Sequence, residues 1–494
     1  MDRPAAGSGA LRALAPLTGV LMPVTSRVSP AGRTTVVIVG AGPCGLACAD
    51  QLRRLGYHDW LLLEAADAAG GLGSSVVDVG GFTWDLGGHV VFSHFGEFDR
   101  LLQELFAPGA LLHHDRSSFV SFRDRWVPYP FQQHLRSLPT ADAQACPTGL
   151  LLAARNGQPR TEGADFGRWL HATYGAPLVE RFFGPYNSKV WATPPEEMSS
   201  GWVAERVAPV DADQILAAFS GSTAAAPPRW GPNATFAFPA RGGTGEIWRR
   251  LAARLPAGRL RTGARAVAVD PHARTLELAG GEVIAFDHLV ATGPLDRLTA
   301  MTATAPAAVR AAARRLRHTT VAMTGLGYRV PTTDTRSWLY FPQPDVPFYR
   351  ATNFSKYAPA HVPGADTGRR CSWMTETAMT PGTVLDERAL IACCDRALRR
   401  HHLVPEDAEL ADAHVEMIPY AYPVPTLDRD EVLATVVPWL EEHGIFPRGR
   451  FGTWRYEIGN MDHAVKMGLD IAARLATGAA EDLAPSPLTA QARP

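Results

Sequence analysis

Two groups of residues in this chain have types and spacings that could do chemistry. The first is a glycine triplet, Gly40, Gly42 and Gly45, in the spacing G-x-G-x-x-G. In such a triplet the first glycine permits a tight turn, the second lets backbone approach a pyrophosphate, and the third lets a helix pack on a strand. The second group is spread over Gly- and Pro-rich segments: Arg206, Arg350 and Arg450, with Tyr340, Tyr357, Tyr422 and Tyr456. Any one of these is more often structural than ligand-binding. Together they are the inventory for gripping a diphosphate, because guanidinium binds it bidentately and phenols add neutral donors. The usual protein-borne chemistries are missing: no Ser-His-Asp order with a nucleophile elbow, no His-Glu-x-x-His, no Walker lysine loop. Cysteines 44, 48, 146, 371, 393 and 394 have no metal-ligand spacing, so no metal site is expected, and they read as reduced thiols in a cytoplasmic protein. Cys44 and Cys48, one helical turn apart, are expected to face a sheet as small residues.

The elements that must position the glycines surround them directly. Val36, Val37, Ile38 and Val39 make a short β-branched run, read as a buried parallel strand that stops at Gly40. A helix follows with Leu46, Ala49, Leu52 and Leu55 on its apolar face, and its free N–H groups and dipole favour a diphosphate at its start. Residues 60–63 form the next strand, and Glu64 at its end is placed to accept both hydroxyls of an adenosine ribose. Two further glycine pairs, Gly70-Gly71 before Leu72 and Gly87-Gly88 before His89, imply more close backbone approaches and a large planar ring lying on main chain. That combination points to FAD rather than a nicotinamide cofactor. Supporting it, the turn Ala291-Thr292-Gly293-Pro294 after the run His288-Leu289-Val290 supplies a second strand-to-turn element of the kind flavoproteins use. His89 could act as a base near neutral pH or pack on the ring, and packing is the favoured reading.

At 494 residues, with 46% apolar and 20% charged residues, the chain has enough material for two or three domains. A net charge of -1 gives no electrostatic case for nucleic acid or an anionic membrane, and no apolar run is long enough to cross a bilayer. Residues 1–33 and 477–494, rich in Ala and Pro, are expected to be a disordered leader and tail. Between them the expected fold is α/β with a discontinuous Rossmann-type cofactor domain (34–114, 231–300 and 445–476). Inserted into it are a β-sheet domain (115–131 and 301–444) and a helical domain with mobile loops (132–230). Residues 117–131 read as a hairpin turning at Arg123-Asp124, with Tyr129 and Phe131 beside prolines. Helical patterns run from Gln132 to Phe219, and a Gly/Pro-rich loop closes that region over a cleft.

Eight collinear segments make the reading specific: GGHVVFSH, WVPYPFQ, PYNSKVW, RWGPNATFAFPARGGTG, WLYFP, PFYRATNFSKY, YPVPTLDR and GRFGTWRYEIGNMDHA. They resemble UDP-galactopyranose mutase, nearer its eukaryotic-type branch, over residues 36–473. The resemblance implies a Rossmann-type FAD domain, a helical bundle and an antiparallel sheet domain. It further implies that Arg206 and Arg350 clamp the substrate diphosphate with donors from Tyr357, Tyr422 and Tyr456. Tyr129, Phe131, Gln132, Asn187, Trp191 and Tyr340 would hold uridine, with Gln132 reading the uracil edge. Arg206 and Asn233 would ride on two mobile loops that close over the sugar beside Trp338. His89 would lie at the flavin and respond to its redox state, while Arg450, Gly459 and Asn460 would contact FAD. Met461 stands where a glutamine is expected beside the flavin, and His134 replaces part of an asparagine pair after Gln132.

The implied activity is interconversion of UDP-galactopyranose and UDP-galactofuranose. Reduced FAD attacks the anomeric carbon through N5, UDP leaves, the covalent sugar adduct opens and recloses, and UDP returns. NADPH is implied as a reductant borrowing the substrate cleft near Arg116, Tyr129 and Arg450. Three alternatives stay open: a mutase for another nucleotide sugar, an FAD-dependent amine oxidase or desaturase, and a non-catalytic flavin-binding regulator. A homo-oligomer is compatible with all of them.

Overall fold

Val36, Val37 and Ile38 are fully buried because their strand, Arg33–Val39, is paired in parallel on both sides, with Val283–Ala291 and with Trp60–Leu63. The structure, a computed structural model, describes residues 33–155, 165–203, 206–207, 234–331 and 334–483. Residues 1–32 of the expected leader, residues 484–494 of the expected tail and the loop residue Asn233 lie outside the described residues; Arg33 already belongs to a strand, and the side chain of Glu481, in the described part of the expected tail, is buried in ion pairs with Arg448 and Arg474. The sheet built on Arg33–Val39 runs in the order Ala266–Asp270, Thr275–Leu278, Val283–Ala291, Arg33–Val39, Trp60–Leu63, Leu260–Arg261, and Ile445–Pro447 pairs with Val283–Ala291. The last pairing is parallel and brings the chain back to this sheet after a long excursion.

The helix Pro43–Arg54 starts with Gly42 as N-cap and proline at its first position, where the missing N–H is one the helix would leave unpaired. Leu46, Ala49 and Leu52 are buried, but Leu55 is the C-cap and 41% exposed, so the buried apolar face ends at Leu52. Cys44 also departs from expectation. It packs with Ala464 and Met467 of the long helix Met461–Thr477 rather than on the sheet. The two helices are nearly in backbone contact there: a Cβ on Gly468 would stand 2.2 Å from the Cys44 carbonyl oxygen.

A second seven-stranded sheet runs Leu410–Pro423, His318–Tyr328, Cys371–Met379, Arg350–Asn353, Trp338–Tyr340, Ser118–Phe122, Arg125–Pro128. It is antiparallel except where Trp338–Tyr340 meets Ser118–Phe122. The hairpin turns at Arg123, in the left-handed region with φ 53°. Gly325 and Gly327 leave hollows in this sheet that the rings of Trp84 and Phe82 fill, so a Cβ at either glycine would lie within 2.5 Å of a ring atom. That contact anchors the small hairpin Ser75–Val77 and Thr83–Asp85 on the second sheet and fixes the Gly87-Gly88-His89 turn that follows it. Thr235–Pro239, in the Gly/Pro-rich segment expected to be a loop, is instead a strand that pairs with Leu111–Asp115 in a separate two-stranded ribbon. The described helical region comprises Thr140–Arg155, Phe166–Tyr174, a single π turn at Val179–Phe183, and Gly184–Trp191. No helix among the described residues is long and apolar enough to cross a membrane.

Candidate active site

The glycine turn is shaped for a phosphate. A Cβ at Gly45 would stand 1.9 Å from the Gly40 carbonyl oxygen, so helix and strand can pack this closely only through glycine. At Gly42 the nearest atom to such a Cβ is the Cα of Gly71, 3.9 Å away, which leaves the outer face of the turn uncovered by protein. The N-terminus of Pro43–Arg54 opens onto the same space. Thr292, in the second strand-to-turn element, donates its hydroxyl to the Val39 and Gly40 carbonyls at 3.0 and 3.1 Å and so buttresses the turn. Glu64 accepts from the Ala41 N–H at 2.7 Å and from the Ala66 N–H at 2.9 Å, which holds its carboxylate beside the turn where a ribose would lie.

Two cavities share a boundary. The first, about 980 Å³, is lined by Leu72, Gly87, Gly88, His89, Trp338, Arg350, Glu376, Tyr422, Arg450, Asn460 and Met461 among others. The second, about 1080 Å³, is lined by Arg116, Tyr129, Gln132, Tyr186, Asn187, Trp191 and Tyr340. Phe92, Arg206, Arg350 and Tyr456 line both. Two arginines and a tyrosine therefore stand at the junction of a chamber beside the glycine turns and a chamber walled by aromatics.

Sheet register assembles the junction of the two chambers. Tyr340, Arg350 and Glu376 are directly opposite one another on three neighbouring strands. Glu376 takes both Nε and Nη2 of Arg350, the latter at 2.8 Å, and accepts a further bond from the Tyr349 hydroxyl at 3.1 Å. Burial alone would raise the Glu376 pKa, but the charge and hydrogen bonds of Arg350 outweigh it and hold the carboxyl below its usual range. The space at Gly88 is taken by Arg350, whose Nη2 lies 3.0 Å from where a Cβ would be. The Gly87-Gly88 pair thus makes room for the Arg350–Glu376 ion pair.

His89 is half-buried, with its Nδ1 buried and unpartnered. Burial, reinforced by the nearby Arg450 and Arg350 charges, lowers its pKa to about 4, so the ring is neutral at physiological pH. Arg450 is held by the Gly459 carbonyl at 2.7 Å and the Ala421 carbonyl at 3.2 Å, over the Tyr422 ring. Arg206 donates to the Asn460 side chain at 2.9 Å and the Glu457 carbonyl at 2.7 Å, with its guanidinium 5.2 Å above the Tyr456 ring. Burial raises the pKa of Tyr340 and Tyr422, which keeps both phenols as neutral donors.

In the second chamber Tyr129 and Tyr340 have ring centroids 4.9 Å apart, and the Arg116 guanidinium lies 5.4 Å from the Tyr129 ring. Asn187 donates to the Phe183 carbonyl at 2.8 Å one turn back on its helix. Trp191 stands edge-on to Tyr456 and Trp202. Two expected ligand residues are not on either wall. Phe131 is fully buried and stacked on Phe182 at 4.6 Å, because the apolar face of the following turn carries it into the core; Phe182 and Tyr186 line the chamber in its place. Tyr357 is also fully buried, among Phe236, Phe238 and Phe354, with a hydroxyl that has no partner.

Sequence reasoning missed Glu376, Tyr349, Tyr186, Phe92 and Trp202. Glu376 had left a signal, as the one acid in the otherwise uncharged run CSWMTETAM. Another missed group is Asp462, which lines the first chamber and is bonded to the Nδ1 of His94 at 2.7 Å and of His463 at 3.2 Å.

A family model described as flavin containing amine oxidoreductase matches residues 43–475. Among solved structures, a reduced UDP-galactopyranose mutase superposes with a TM-score of 0.84 at 37% identity, over 90% of this chain and 94% of the other. The chain belongs to the UDP-galactopyranose mutase family. Within the wider flavoprotein fold, a putative protoporphyrinogen oxidase from Exiguobacterium sp. 255-15 matches with a TM-score of 0.68 at 16% identity, over 90% of this chain and 99% of that one. Cyclohexylamine oxidase from Brevibacterium oxydans IH-35A matches over the same shares with a TM-score of 0.65 at 16% identity. These two share the fold of the mutase family. The uncovered face of Gly42, the anchored Glu64 and the glycine-lined first chamber fit the FAD expected of a family member.

Proposed function

We propose that this protein is an FAD-dependent mutase interconverting UDP-galactopyranose and UDP-galactofuranose. The observation that carries the reading is the junction of the two cavities, where Arg206, Arg350 and Tyr456 would meet a diphosphate. A nucleotide sugar laid across that junction has its sugar in the first chamber and its nucleoside in the second. When bound and reduced, FAD supplies the nucleophile that takes the sugar from UDP and later returns it. The protein's own work is electrostatic and positional. Arg350 and Arg206 stabilise the charge on the departing diphosphate, Tyr422 and Tyr456 donate to it, and the chamber holds it for return. Arg206 lies over the Tyr456 ring, which is itself packed edge-on against Trp191 and Trp202. Tyr129, Gln132, Asn187, Trp191 and Tyr340 would hold uridine, and neutral His89 would accept or donate one hydrogen bond at the flavin. Asn233 would close over the sugar beside Trp338.

NADPH would reduce the flavin from the same cleft, with Arg116, Tyr129 and Arg450 meeting it, and the protein would work in the cytoplasm. Dithionite-reduced protein incubated with a panel of UDP- and other nucleotide sugars tests the reading. Conversion of UDP-galactopyranose to the furanose supports it; oxygen consumption stoichiometric with product from an amine would replace it by an oxidase.

A further inference from the structure

Lys189 lies on the helix Gly184–Trp191 but outside both chambers, and its surroundings are unlike those of any other lysine among the described residues. Its Nζ is 2.8 Å from the Phe341 carbonyl oxygen, 2.9 Å from that of Gln343, 2.8 Å from that of Val346 and 2.7 Å from that of Phe348. Four acceptors converge on a group with three hydrogens, so a neutral amine, with two hydrogens, would leave still more of them unmet. Burial draws the pKa down to about 7, and the nearby Asp345 carboxylate opposes that. The four carbonyls all belong to one loop, 341–349, closed at its base by the Phe341 N–H donating to the Tyr349 carbonyl at 2.9 Å. Gln343 ties the loop to Ser121 at 2.8 and 2.9 Å.

What this loop joins gives the cage its consequence. Before it stands Tyr340, in the wall of the nucleoside chamber; after it stands Arg350, at the junction. The helix that carries Lys189 carries Asn187 and Trp191 on the nucleoside wall. We infer that Lys189 is a positioning residue: its ammonium, caged by the loop 341–349, sets the distance between the nucleoside-binding helix and Arg350. The inference rests on the reading of the junction as a diphosphate site. A loop held by one central cation cannot shift without losing several charge-assisted bonds together, so helix and arginine keep the spacing that a nucleoside diphosphate requires.

The cage also supplies the test. Lys189→Ala removes three carbons and the nitrogen, the outline of n-propylammonium, and leaves the four carbonyls behind. UDP affinity of the FAD-loaded enzyme is measured by titration, with hydrogen exchange at the amides of 341–349 followed in parallel. The alanine variant is expected to bind UDP weaker by about tenfold to a hundredfold, with KM rising more than kcat falls, and to exchange faster in the loop. n-Propylammonium chloride should restore both readouts toward wild type, whereas tetramethylammonium chloride at equal ionic strength should not. Lys189→Met keeps the packing of the stem, and should show the loss without the rescue if the alanine variant does not fold. Wild-type UDP affinity in either variant, or a loss in the alanine variant that n-propylammonium does not reverse, overturns the inference. Wild-type enzyme that binds no UDP would instead overturn the diphosphate reading, while exchange in the loop still decides whether Lys189 orders it.

Discussion

Arg350→Ala should have two separable effects, because Arg350 faces both Glu376 and the cavity junction. The Glu376 side chain is 3% exposed, so removing its partner leaves a buried carboxylate whose remaining donors cannot balance its charge. Loss of one member of a buried pair costs about 3–5 kcal/mol. In the wild type the lowered Glu376 pKa contributes stability that is present above the unfolded value of about 4.3 and is lost as pH falls through the folded pKa. In the variant the sign reverses, since burial then dominates and raises the pKa. Stability is retained at low pH and lost as pH rises above about 4.3, until the variant's own raised pKa is passed. The stability gap between wild type and variant should therefore be narrow at pH below the lowered Glu376 pKa and widest near neutrality.

The double variant Arg350→Ala/Glu376→Gln should recover most of the lost stability, because the buried charge is gone. It should recover none of the UDP affinity, for which loss of a charge-assisted phosphate contact costs about 2–5 kcal/mol. Urea unfolding across pH, with UDP titration at neutral pH, reads both quantities. Equal destabilisation of the single and double variants near neutrality, or an unchanged UDP dissociation constant in both, would refute the reasoning.

Other outcomes follow from the same geometry. The purified protein should be yellow with noncovalently held FAD, and Gly42→Val should abolish the colour without unfolding the chain, since its Cβ would meet only the Gly71 Cα at 3.9 Å and the Gly70 carbonyl oxygen at 4.0 Å, at the edge of the space where a pyrophosphate would lie; full flavin content in that variant would remove the turn from the cofactor site. Arg206→Ala should weaken UDP binding by about 2–5 kcal/mol while flavin content stays at wild-type level, as read by calorimetry and absorbance. With its pKa lowered to about 4, His89 opposes protonation in the fold, so stability falls as pH drops from about 6.5 toward 4. His89→Asn should flatten that part of the pH–stability curve, and an unaltered slope would show that the ring is not buried as described.

What was legible in the sequence is what local chemistry dictates. The strand, turn and helix from Val36 to Leu52 could be read because buried β-branched residues, three glycines and a helical period all agree within one short stretch. The pairing of Arg350 with Glu376 could not, since it depends on two distant strands meeting in one register; a slip of one residue would turn either side chain to the other face. Phe131 shows the complementary failure. Its neighbours Tyr129 and Gln132 do line the second chamber, but the short 3-10 turn Phe131–Gln133 sends this ring into the core against Phe182. Cys44 was assigned to the wrong neighbour because helical period tells which residues share a face without telling which element covers it. The ammonium cage of Lys189 is invisible in the same way: its four acceptors are backbone atoms, and no residue type marks them.

The central claim is that this protein isomerises a nucleotide sugar with a reduced cofactor that is not consumed, and anaerobic turnover with substoichiometric dithionite tests it most directly. Oxidised enzyme should be inert toward UDP-galactopyranose, and each equivalent of reduced flavin should yield many molecules of UDP-galactofuranose. Activity of the fully oxidised enzyme, or product capped at one per reduced flavin, would contradict the account.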